Sequence, residues 1–132
     1  MDNKRKFARY AIDAKACFKT LGNESKNLEG RVLDIGSLGW GAFFKENIEL
    51  DTMIEFDLIP NFLNEHLVGS GKIVHMLPHK IGSINGFRVG VEFIEVDKNI
   101  VLRIINEKIR LDALEHNRKM EEVRKRGSVG PF

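Results

Sequence analysis

The sequence of 132 residues predicts an all-β domain followed by one long C-terminal α-helix. Six short strands would form an antiparallel sheet that closes into a barrel or folds as a sandwich. Three observations lead there. Apolar and polar residues alternate with period two in short runs, the mark of strands buried on one face. Glycine-, asparagine- and proline-containing breaks separate the runs, and no helical stretch intervenes between the later ones, so hairpins rather than crossover helices must join them. After Val96 neither glycine nor proline occurs until Gly127, which marks a different kind of element.

The first strand is read over Ile12–Phe18, with Ile12, Ala14, Ala16 and Phe18 on one face and Asp13, Lys15, Cys17 and Lys19 on the other. "TLGNESKN" is rich in turn formers. "LEGRVLDI" resumes an extended pattern, and "GWGAFF" follows a glycine-rich break. "MIEFDLI" sets Ile54, Phe56 and Leu58 against Glu55 and Asp57, and "GKIVHML" is the fifth run, which Pro78 is expected to end. Asn85-Gly86 is a strong turn signal ahead of the sixth, where Phe87, Val89, Val91 and Phe93 share a face. "PNFLNEHL" reads as a loop or a short helical turn. Residues 97–126 read as one helix with Asp97 as N-cap; Ile100, Val101, Leu102, Ile104, Ile105 and Ile109 supply an apolar face able to close a barrel end. Farther on the stripe thins, and Asp112, His116 and Lys119 fall where a heptad seam requires apolar side chains, which leaves two readings open, weak self-association through this helix and a solvated, fraying end. The expected organisation is an arm over residues 1–11, a barrel over 12–96, the helix over 97–126 and a disordered tail over 127–132.

Composition narrows the function. With 42% hydrophobic and 30% charged residues, the chain suits one domain with one core. A net charge of +2 does not describe a polycation built to coat a nucleic-acid polymer, so an anion site must be local. No apolar run approaches the length of a membrane span and "MDNKRK" is no secretory leader, so no membrane partner is expected. The single cysteine, Cys17, fits a reducing compartment, and a cytoplasmic location is expected. The four histidines lack metal-ligand spacing, Cys17 has no base pattern beside it, and Glu55 and Asp57 read as the charged outer face of a strand. Neither an enzyme nor a cofactor is expected.

Two stretches carry more. "RKFARY" places Arg5 and Arg9 four apart, flanked by Lys4 and Lys6. "DIGSLGWG" combines Asp34 with small residues, Gly36, Ser37 and Gly39 among them, that let a ligand approach the backbone. The plain reading is a solvated basic start and a tight turn. The chemical reading is complementary: a guanidinium takes phosphate or the O6/N7 edge of guanine through two parallel hydrogen bonds, and a carboxylate accepts from the N1/N2 edge. Together they describe a site for a guanine nucleotide.

These motifs resemble the PilZ domain, the bacterial receptor module for cyclic di-GMP, whose pattern is Arg-x-x-x-Arg followed about thirty residues later by Asp/Asn-x-Ser-x-x-Gly. Here "RKFAR" supplies Arg5 and Arg9, "DIGSLG" supplies Asp34 and Gly39, and "FRVGVEFIEVD" resembles the last strand running into the helix. The likeness covers roughly residues 4 to 112. It implies a six-stranded antiparallel β-barrel, a ligand, cyclic di-GMP, bound by Lys4, Arg5, Arg9, Asp34, Gly36, Ser37 and Gly39, and an arginine arm that folds over the barrel to signal to a protein effector. One position departs from the pattern: Gly36 stands where the family has serine, with Ser37 one residue on. Loss of a neutral hydrogen bond, worth about 0.5–1.5 kcal/mol, should weaken binding by up to roughly tenfold. The alternative is a PilZ-like adaptor that binds no nucleotide and works through protein contacts alone.

Overall fold

The computed structural model describes residues 8–22 and 25–128, the side chains to residue 124. Six strands, β1 (Arg9–Thr20), β2 (Asn27–Gly36), β3 (Gly39–Phe44), β4 (Met53–Pro60), β5 (Leu67–Ile81) and β6 (Ile84–Val96), precede one helix, α1 (Lys98–Ser128). Every pairing is antiparallel. The order β1-β2-β3-β6-β5-β4 closes on itself where β4 returns to β1, so the sheet is a barrel and not a sandwich. Chain order is broken once. After β3 the chain crosses the barrel end, burying Ile48, and starts β4 on the far side of β1, which leaves β3 free to pair with β6.

The period-two pattern explains the packing. Ile12, Ala14, Ala16 and Phe18 of β1 point inward, as do Ile54, Phe56 and Leu58 of β4 and Val89 and Val91 of β6. Phe18 packs on Phe44 with ring centroids 4.7 Å apart, and Trp40 meets Phe56 edge-on at 5.4 Å. At the helix start the Asp97 carboxylate accepts from the Asn99 amide at 2.9 Å, satisfying one of the unpaired donors of the first turn. Val101, Ile104 and Ile105 are buried against the barrel, each such burial stabilising by about 1.5–3 kcal/mol. Leu102 and Ile109, expected on the same closing face, point outward and are exposed; at 100° per residue they lie on another side of the helix from Val101 and Ile104.

Four boundaries differ from the sequence reading. Arg9 and Tyr10 belong to β1, not to an arm ending at residue 11, because Arg9 pairs with Gly36 and Tyr10 with Ile35. Pro78 does not end β5, which continues to Ile81. β4 pairs only with Leu67–Lys72 of β5, so Pro78 borders a strand on one side alone and its missing N–H leaves no second ladder broken. Asn85-Gly86 is not the turn: both lie in β6, opposite Lys80 and His79. The turn is Gly82-Ser83 between Ile81 and Ile84, with Gly82 at φ 61°, the glycine-first geometry that suits the twist of a two-residue hairpin. Gly127 and Ser128, assigned to the tail, are the last residues of α1. No helix among the described residues is long and apolar enough to cross a membrane.

Candidate functional site

The site begins with a defect in a ladder. Along β2 the inward positions step from Val32 to Ile35 instead of holding even parity. The register slips here against both neighbours, between Ala11 and Ala14 of β1 and between Val32 and Asp34 on the β3 side. A bulge inserts one residue and re-aims its neighbour. Ile35 thereby enters the core while Asp34 faces the outer wall, where it is nearly buried beneath two guanidiniums.

Arg9 of β1 donates from its Nη2 to Asp34 Oδ1 at 2.6 Å. Arg88 of β6 donates from its own Nη2 to the other carboxylate oxygen, Oδ2. One carboxylate is thus shared by arginines from two strands that are not themselves neighbours. Between them run β2, which carries Asp34, and β3, whose Gly41 makes the arrangement fit: a Cβ there would lie 2.8 Å from Asp34 Oδ1 and 3.4 Å from a terminal nitrogen of each arginine. Arg9 Nε is buried without a hydrogen-bond partner among the described residues, leaving a donor at the site unused. A shallow cleft beside the cluster is lined by Arg9, Leu38, Gly41, His75, Arg88 and Glu92.

Burial pushes the Asp34 carboxyl up, but the hydrogen bond from Arg9 and the charges of Arg9 and Arg88 outweigh it and hold the group below the usual carboxylate range. A folded-state pKa lowered in this way contributes stability that is complete above the unfolded value of 3.8; it is lost as pH falls through the lower folded value. The wild-type protein is therefore expected to lose stability in acid below about pH 4 more steeply than Asp34→Asn, measured by urea unfolding between neutral pH and pH 2.5.

The other residues singled out from sequence are distributed unevenly. Gly36 pairs with Arg9, and a Cβ on it would sit 2.9 Å from both the Ala8 carbonyl oxygen and Arg9 Cδ. This close approach is a physical reason for glycine where the motif has serine, because a side chain would displace the arginine or its backbone. Gly39 opens β3 opposite Glu92, against the Val91 carbonyl, with no room for a side chain. Ser37 is exposed in the turn between β2 and β3 and lines a cleft with Leu38, Glu95 and Lys98. Lys4 and Arg5 lie outside the described residues.

Sequence reasoning missed Arg88 and set His75, which lines the cleft, aside as a surface histidine. Arg88 is 54 positions from Asp34, inside an alternating strand where an outward arginine looks like any solvated charge. The glycines that alternate with it, Gly86 and Gly90, were the available signal, since outward glycines thin a wall that something else covers. The remaining polar candidates carry no comparable cluster. Asp57 pairs with His66, Nδ1 to Oδ1 3.2 Å, and no group of three potential metal ligands occurs among the described residues.

Comparison with known proteins gives three findings. The PilZ domain family matches residues 3–109. Among solved structures, the PilZ domain of YcgR from Escherichia coli with c-di-GMP superposes with a TM-score of 0.70 at 14% identity, over 87% of this chain and 98% of that one. The K. pneumonia MrkH–c-di-GMP complex gives 0.66 at 17%, over 90% of this chain and 57% of that one, and the Bacillus subtilis inhibitor of motility MotI/DgrA gives 0.63 at 9%, over 85% and 53%. Identities this low show a shared fold. The chain thus spans nearly all of the isolated YcgR domain but only about half, 51%, of YcgR in its own c-di-GMP complex. No curated protein matches the sequence.

Proposed function

The chain belongs to the PilZ domain family, and from that premise we propose that it is a receptor for cyclic di-GMP that passes the bound state on to a protein partner. The observation that carries this reading is the Asp34 carboxylate held on the outer wall between Arg9 and Arg88. A guanine presents hydrogen-bond donors at N1 and N2, which Asp34 is ionised to accept. Phosphates and the O6/N7 edge present acceptors, which match the guanidinium forks and the unused Arg9 Nε. Two neighbours in structure, YcgR and MrkH, are described as complexes with c-di-GMP, which supports the same ligand here.

In this reading Arg9 is the fixed half of the arginine pair, because its backbone is part of the β1–β2 ladder. Lys4 and Arg5, on the segment leading into β1, form the half that closes over the nucleotide. Gly36, Gly39 and Ser37 shape the turn that borders it. Ordering of the lead-in against the barrel is the signal, and a cytoplasmic effector protein reads it. Binding leaves no covalent trace, so the module needs neither a cofactor nor a catalytic group.

Thermal unfolding with and without cyclic di-GMP tests the proposal. Ligand at a hundred times its Kd is expected to add about 2.7 kcal/mol of stability, with a Tm that climbs as ligand is raised. A Tm unmoved at near-millimolar nucleotide, with the fold intact, would favour the adaptor that works through protein contacts alone. The feature that favours that second reading is the self-contained ion-pair cluster, in which each Asp34 oxygen already has an arginine.

A further inference from the structure

From residue 112 onward every described position of α1 is exposed to solvent, although the helix continues to Ser128. Ion pairs along its own length support it there, among them Lys108–Asp112 at 3.1 Å and Arg118–Glu115 at 2.6 Å. They do not account for its apolar residues. Leu102, Ile109, Met120 and Val123 are 53%, 46%, 49% and 60% exposed. With Ala113 and His116 they fall at steps of seven, four, three, four and three residues. Those 21 residues make six turns of 3.5, a tenth of a residue short of the 3.6-residue turn, so the six occupy one stripe that borders the buried face at Ile105 and lies about a quarter-turn or more around the helix from Ile104. The stripe is an unbroken heptad frame with Asn106 at its one remaining seam position; in this frame Ala113 and Met120 occupy the seam, and Asp112 and Lys119 flank it.

We infer that this stripe is an interface with a second copy of the chain, whose α1 runs antiparallel to it. The charges beside the seam select both orientation and register. When Ile109 faces Met120 of the other copy and Ala113 faces its His116, Asp112 comes against Lys119 of the other copy, twice by symmetry. Sliding the antiparallel pair by one heptad in either direction sets Lys119 against Lys119 or Asp112 against Asp112. A parallel pair sets Lys119 against Arg124 of its neighbour. One arrangement alone among these buries the stripe with opposite charges abutting, and it places the two barrels at opposite ends of the helix pair. The seam is short and includes a histidine, so the dimer is reversible and depends on concentration.

Sedimentation equilibrium of the full chain, from micromolar to near-millimolar, tests this. Wild type is expected to show a monomer–dimer equilibrium, and Met120→Glu to weaken it by about tenfold or more by burying an unpaired charge. Asp112→Lys and Lys119→Asp are each expected to weaken association several-fold, and the double variant to restore it close to wild type, with far-ultraviolet circular dichroism confirming unchanged helix content. A wild-type chain that stays monomeric throughout overturns the inference. So does a dimer indifferent to Met120→Glu. Loss of association that the double variant fails to restore overturns the antiparallel register.

Discussion

Arg9→Ala is expected to lower the affinity for cyclic di-GMP by about a hundredfold, measured by isothermal titration. The side chain can offer a bidentate pair of charge-assisted hydrogen bonds, each worth about 1.5–3 kcal/mol. Loss of two such bonds at the lower limit already corresponds to roughly two decades in Kd. Arg9 also holds one oxygen of Asp34, so the variant's Tm must be recorded alongside, to separate a lost ligand contact from a loosened β1. Arg9→Lys sharpens the comparison. It keeps the positive charge but not the planar fork, and is expected to recover only part of the affinity. Titrations of wild type and Arg9→Ala that superimpose would remove the nucleotide from this face of the barrel.

Asp34→Ala is expected to be the most damaging single change to the outer wall, for a reason independent of any ligand. The carboxylate is the shared counter-charge of Arg9 and Arg88. Its removal leaves two guanidiniums facing each other across Gly41, each only about a quarter exposed at 26% and 27%. Breaking a buried pair by deleting one partner costs about 3–5 kcal/mol, and partial exposure brings the expected loss to about 2–4 kcal/mol. For a domain of this size that lowers Tm by roughly ten degrees. Replacing Arg88 by methionine in the Asp34→Ala background is expected to return part of the loss, because it removes one of the uncompensated charges. If Asp34→Ala melts with wild type, the cluster contributes nothing to stability. If the second change adds to the damage, Arg88 matters for its packing and not for its charge.

The elements most legible in sequence were those whose side chains have only two places to go. β1 and β4 were read to within a few residues because Ile12, Ala14, Ala16 and Phe18, and Ile54, Phe56 and Leu58, alternate without interruption and are buried as that alternation requires. The β5–β6 hairpin was misjudged because Pro78 and Asn85-Gly86 are strong local signals overridden by context. Where β5 runs past the end of its pairing with β4, a proline removes no bond that any strand awaits. Glycine at 82 takes the left-handed turn that Asn85-Gly86 advertised. Half the site was legible for a different reason: Arg9 and Asp34 stand in a spaced motif, and motif spacing survives in sequence. Arg88 belongs to no such pattern, and its place beside Asp34 follows from β3 pairing with β6.

Sequence by itself determined the number and kind of elements, the identity of the strands' core faces, and two oppositely charged residues, Arg9 and Asp34, that meet on the outer wall, because hydrophobic period and side-chain chemistry are local properties of the chain. Only the tertiary structure decided that Arg9 is anchored in a strand, that a bulge turns Asp34 outward, and that Arg88 completes the cluster from β6. Closure of a barrel brings together side chains from strands distant in sequence, and the register of that closure is set by the whole core at once; no short stretch of residues encodes it.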